Sequence, residues 1–114
     1  MQESNFKEIV LWLFRLRHRY RVTGDSMCPL VNADDEIFVD PQAYRCQAPK
    51  IGDVVIARHP IRPKLQIIKR ITKIRGDDCY HLQGDNPDPL QNSQTWVDAR
   101  MIIGRVTSRF ISAA

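Results

Sequence analysis

Seven prolines, at positions 29, 41, 49, 60, 63, 87 and 89, cut the chain beyond its first 28 residues into short pieces. An interior proline removes a helical hydrogen bond and clashes with the preceding turn, so no long helix fits between them. The stretches they leave are rich in valine and isoleucine, which suit a pleated, half-buried surface. Strands are expected near 20–23, 36–40, 54–58, 65–74, 80–83 and 101–110. Gly52-Asp53 and Gly76-Asp77 supply turn chemistry between them. At 114 residues the chain suits one domain, and a barrel of eight strands and eight helices, which needs about 250 residues, is excluded. The expected fold is mainly β, a compact antiparallel domain with a short N-terminal helix. The polar segment 85–96 reads as a long loop, a common place for function.

The N-terminal part follows a different pattern. IVLWLF at 9–14 is an unbroken apolar run of six residues. A membrane span needs about 20, and no small-residue cleavage site follows, so neither a spanning helix nor a removable signal peptide is expected. Asn5 and Glu8 resemble a capping box that opens a helix over about 6–19. Arg15, Arg17, Arg19 and Arg21 come next. The chain therefore divides into an amphipathic helical extension, 1–19, and a β domain, 20–114. The helix either packs on the domain with a solvated basic end or docks on a membrane surface or a partner.

Cysteine use narrows the setting. Cys28, Cys46 and Cys79 are odd in number and form no C-x-x-C pair. That pattern favours a reducing compartment, the cytoplasm, over a disulfide framework. No Cys/His cluster has metal-ligand spacing, so no metal or other cofactor is expected.

Three stretches can carry chemistry: Val22-Thr23-Gly24-Asp25-Ser26-Met27-Cys28-Pro29; Gly52-Asp53-Val54-Val55 with Ile67-Ile68-Lys69-Arg70-Ile71; and Gly84-Asp85-Asn86-Pro87. A serine hydroxyl needs a neighbouring base before it attacks a carbonyl. Gly24 and Pro29 frame Ser26 in a turn able to aim backbone N–H groups at an oxyanion. Of the bases, His18, His59 and His81 lie in no catalytic pattern and read as surface or packing residues. Lys69 shares a strand face with Ile67 and Ile71. Burial there disfavours the ammonium and lowers its pKa, as a general base requires. Bringing a lysine pKa from about 10.4 to about 8 takes on the order of 3 kcal/mol of differential interaction. From the strand pattern alone, a lysine whose stem packs while its head reaches water remains the competing reading.

In this order and spacing, the G-x-S-M-x-P turn, the G-D-V-V strand, the Lys-Arg pair and the G-D-N segment resemble the signal peptidase I superfamily of Ser–Lys proteases. Ile103-Gly104-Arg105-Val106 matches near the end. The absence of a spanning helix, and the phrases at 54–60 and 104–110, look like the branch that matures nickel-type superoxide dismutases. The resemblance implies a signal-peptidase-like β domain and a serine endopeptidase that removes an N-terminal propeptide, with a nickel superoxide dismutase precursor as one substrate. It implies Ser26 as nucleophile, Lys69 as general base, Gly24 and the Ser26 N–H at the oxyanion, and Met27 and Pro29 beside the substrate. Asp53, Arg70, Gly84, Asp85 and Asn86 would support the site. Cys28 is read as a buried small residue rather than a rival nucleophile.

One segment departs from the family. Aligned without a gap, Leu90 stands where the family has the serine that holds the lysine, and Asn92 and Gln94 stand for its Asp and Arg brace. Ser93 serves the lysine only if the loop register slips. Reduced activity is one consequence. The alternative function is a weak or inactive basic β domain, of net charge +4, that binds nucleic acid or a protein partner. No aromatic platform for single strands is evident, so a protein substrate, and not nucleic acid, is the expected partner. Self-cleavage is disfavoured, since residues 1–25 hold no Ala-Gly or Cys-Gly pair.

Overall fold

A computed structural model describes residues 2–3, 6–13 and 16–110. The strands are β1 (Gln2–Glu3), β2 (His18–Arg21), β3 (Glu36–Asp40), β4 (Val54–Arg58), β5 (Gln66–Arg75), β6 (Cys79–Gln83), β7 (Gln94–Asp98) and β8 (Ile102–Phe110), with a helix α1 (Phe6–Leu13) between the first two. They join in the order β2-β3-β8-β4-β5-β6-β7, every neighbouring pair antiparallel. β1 runs parallel to the far end of β8. The expected mainly β architecture is the one observed.

Apolar side chains on both faces explain the central strands. In β4 the first four residues, Val54-Val55-Ile56-Ala57, are all buried. Val54 and Ile56 join Val22, Met27, Ile37, Val39 and Ile68 in one cluster. Val55 and Ala57 join Ile71, Tyr80, Leu82 and Val97 in the other. Alternation along a strand sends successive side chains to opposite faces, so a continuous apolar run means that both faces are covered.

The helix is shorter than the 6–19 expected. It ends at Leu13, and His18 and Arg19 already belong to β2, opposite Val39 and Phe38. The predicted boundary at 19/20 thus falls inside a strand, and the N-terminal segment is part of the sheet. Eight helical residues are marginal alone in water, so packing holds them. Trp12 stacks on Phe38 with ring centroids 5.9 Å apart, and buried Glu8 accepts a hydrogen bond from Arg17 Nε at 3.1 Å. Asn5, Phe14 and Arg15 lie outside the described residues.

A second difference lies in the segment read as a loop. Its last residues enter β7, which pairs with β6 along Cys79–Gln83. Only Val97 of β7 is buried, which leaves little apolar alternation to read. Trp96 instead packs edge-on against His81 at 5.0 Å and beneath the Arg75 guanidinium at 4.2 Å.

Candidate active site

The serine turn follows β2 and is anchored on both sides. Val22, 5% exposed, enters the core and donates its N–H to Asp35 O at 2.8 Å. Met27, 1% exposed, enters the same cluster, and its carbonyl accepts from Val31 N–H at 3.0 Å. Between them Gly24 has φ +81°, a left-handed conformation that a β-carbon would strain. Ser26 is half-buried at the bend.

The Gly84-Asp85-Asn86 segment locks that bend in place. Asn86 N–H donates to Ser26 O at 2.9 Å, and Asn86 Nδ2 donates to Asp25 O at 2.6 Å. A β-carbon on Gly84 would fall 2.4 Å from Ser26 O and 3.1 Å from Ser26 Cβ, so only glycine allows this approach. Asp85 accepts two bonds from Arg70, Nε to Oδ1 at 2.9 Å and Nη2 to Oδ2 at 2.8 Å. Arg70 also donates through Nη1 to Gly52 O at 2.7 Å. This bidentate, charge-assisted grip ties the segment to β5 and to the turn before β4. Asp53 completes the turn by accepting from Tyr44 Oη at 2.7 Å and Lys50 N–H at 3.1 Å. Burial, and then Asp53, push the Tyr44 phenol above its ordinary range.

Lys69 precedes Arg70 on β5 and pairs with fully buried Val55 on β4. Only 5% of its surface is exposed. Its ammonium has lost most of its hydration, and burial pulls its pKa below the ordinary lysine range. Nζ donates to Ser93 Oγ at 2.9 Å. The hydroxyl expected at position 90 in an ungapped reading therefore comes from three residues further on, while Leu90 is 89% exposed. The two prolines at 87 and 89 and the Asx turns at Asn86 and Asp88 shape the loop that makes this shift.

Ser26 and Lys69 line one cleft of about 340 Å³. Residues 20–23 also border it, as do residues 65–68, and Ile37 and Ile56 complete its lining. Ser26 Oγ donates to the carbonyl of Ile68, the residue before Lys69, at 3.5 Å. Met27 and Pro29, expected beside the substrate, do not line this cleft: Met27 is core and Pro29 is exposed. Asp53, Arg70 and Asp85 do not line the cleft, and Arg70 links Asp85 to the turn that holds Asp53. Neither Asn92 nor Gln94 braces Asp85, whose partner is Arg70 on the strand of the lysine itself. Cys28 is half-buried rather than fully buried. Desolvation, and then Asp25, whose Oδ1 lies 3.6 Å from Sγ, push its thiol up, which disfavours the thiolate. The histidines stand apart from the cleft: His59 Nδ1 accepts from Ile61 and Arg62 N–H, and His81 Nδ1 lies 2.6 Å from Thr72 Oγ1.

Sequence comparison bears on the same region. Residues 8–86 match the family described as signal peptidase, peptidase S26. The match spans Ser26, Lys69 and the Gly84–Asn86 segment and ends before Ser93. Mitochondrial inner membrane protease subunit 1 of Mus musculus is 29% identical over 75 residues, which cover 66% of this chain and 43% of that protein. The chain thus spans less than half the length of that relative.

Proposed function

The chain belongs to the signal peptidase family, peptidase S26, and on that premise we propose that it is a serine endopeptidase in which Ser26 is the nucleophile and Lys69 the general base. The observation that carries the reading is their shared cleft, with Lys69 almost wholly buried and hydrogen-bonded to a neutral hydroxyl. Burial favours the neutral amine, and a neutral amine accepts a proton. As Ser26 Oγ attacks the scissile carbonyl carbon, its proton passes to Lys69 Nζ, and the carbonyl π-electrons move onto oxygen. The Ser26 N–H, in the bend freed by Gly24, is the donor assigned to that oxyanion. Collapse of the tetrahedral species breaks the C–N bond, and Lys69 returns the proton to the leaving amine. Water then repeats the cycle on the acyl-enzyme. Ser93 is a positioning residue that aims Nζ.

The substrate is a protein with a cleavable N-terminal extension, bound as an extended strand between the walls 20–23 and 65–68. A nickel superoxide dismutase precursor is the candidate drawn from the resemblance at 54–60 and 104–110, and the cytoplasm is the proposed location. Among the described residues no helix is long and apolar enough to cross a membrane. The nucleic-acid alternative has less support, because Arg17 and Arg19 of its basic segment are held in ion pairs within the fold, although Arg21 stays largely exposed. Arg17 pairs with Glu8 and Asp40, and Arg19 and Arg21 share Glu36. The test is co-expression with a candidate precursor, followed by intact-mass measurement. Loss of a defined N-terminal fragment is expected with the wild type and not with Ser26→Ala. Equal processing by both would reject the assignment.

A further inference from the structure

We propose that Arg21 makes the cleft selective for a substrate bearing an aspartate or glutamate a few residues from the scissile bond. The inference rests on the peptidase reading and concerns which peptides that site takes.

The charge balance of the cleft motivates it. Two of the residues that border the cleft, Arg21 and Lys69, are basic, and none is an aspartate or glutamate. Lys69 is buried and biased toward its neutral form. A guanidinium is a permanent cation. Arg21 therefore supplies a fixed charge in a cleft whose remaining lining is part apolar (Ile37, Ile56, Ile67) and part polar (Thr23, Gln66).

Arg21 is also incompletely neutralised from behind. It stands directly across the β2–β3 ladder from Glu36. Arg19 takes Glu36 Oε2 in a close ion pair, whereas Arg21 Nη2 lies 3.6 Å from Oε1. A single carboxylate thus serves two guanidiniums. The Arg21 side chain is 67% exposed against 13% for Glu36, so its donors remain open to a ligand. Two further acids point their bonds elsewhere: Asp25 accepts from the Cys28 thiol and Asp35 from Asn32 N–H, and neither lines the cleft. An extended peptide laid along residues 20–23 runs past Arg21, so a carboxylate a few residues from the scissile bond is the group placed to meet its guanidinium.

The test uses internally quenched peptides of one apolar sequence, in which a single Asp, Asn or Lys is moved along the positions flanking the cleavage site. At one position the wild type should cleave the Asp peptide about ten-fold faster than the Asn peptide, and the Lys peptide slowest. Arg21→Glu should reverse that order, and Arg21→Gln, which places no acid opposite Glu36, should level it. Anisotropy with the same peptides on Ser26→Ala protein reads recognition without chemistry. Preferential binding of the Asp peptide with no wild-type cleavage would sink the peptidase reading and leave Arg21 recognition standing. Equal cleavage and equal binding of the three peptides at every position, or an unchanged order in Arg21→Glu and Arg21→Gln, would overturn the proposal.

Discussion

A lysine with 5% of its surface exposed holds its amine against a single neutral hydroxyl, and that arrangement fixes what each side chain should do when changed. Lys69→Arg keeps the length and a permanent charge, so it should abolish cleavage as completely as Lys69→Ala, since arginine does not deprotonate. Ser93→Ala leaves Nζ without its acceptor. It should lower kcat by about 10- to 100-fold and leave KM nearly unchanged, and Ser93→Thr should restore most of the rate; steady-state assays on both variants check this. Because burial lowers the Lys69 pKa, the neutral fraction is already substantial below the ordinary lysine range. Activity should rise with pH through that depressed value and then level. At this scale the burial of Lys69 was legible from its apolar neighbours on the strand. Ser93 could be named from the sequence only as a partner reached through a slip in loop register, and the path of the loop is what brings its hydroxyl to Nζ. Met27 and Pro29 were misread for a related reason. Adjacency to Ser26 in sequence says nothing about facing the cleft, and Met27 turns into the core.

At the scale of elements, the Gly84–Asn86 segment and β5 act as one clamp on the serine turn. Gly84→Ala would drive a methyl group into the Ser26 carbonyl. Its expected cost is about 1–3 kcal/mol of stability, with loss of activity, measured by denaturant unfolding and peptide cleavage. Arg70→Met removes the two bonds to Asp85 and the bond to Gly52 while keeping the stem. It should impair turnover more than folding, because the partly exposed pair contributes position more than stability. β3 and β4 were readable to the residue from dense valine and isoleucine between turn residues. β7 was not, because its residues alternate weakly and Trp96 is held by a histidine and an arginine rather than by the core. The end of α1 was unreadable for the same physical reason: the pairing of β2 with β3, a tertiary contact, outweighs the local helix pattern.

For the whole molecule, the buried amine is a standing cost to the fold. The folded state resists protonating Lys69, while the unfolded chain binds that proton throughout the interval between the depressed folded pKa and the ordinary value of 10.5. Wild-type stability should therefore climb as pH rises through that interval, where the unfolded chain holds more protons. Lys69→Met should be more stable than wild type at pH 7 by about 1–2 kcal/mol, and the difference should shrink toward pH 10 in parallel denaturant titrations. A fold that retains such a residue trades stability for reactivity. The central claim, that Ser26 is activated by neutral Lys69, is tested most directly by mapping acetylation with p-nitrophenyl acetate, which needs no natural substrate. Peptide mass mapping should find acetyl on Ser26 at a rate that rises with pH and disappears in Lys69→Arg. No modification at Ser26, or the same rate in folded Lys69→Arg, would contradict it.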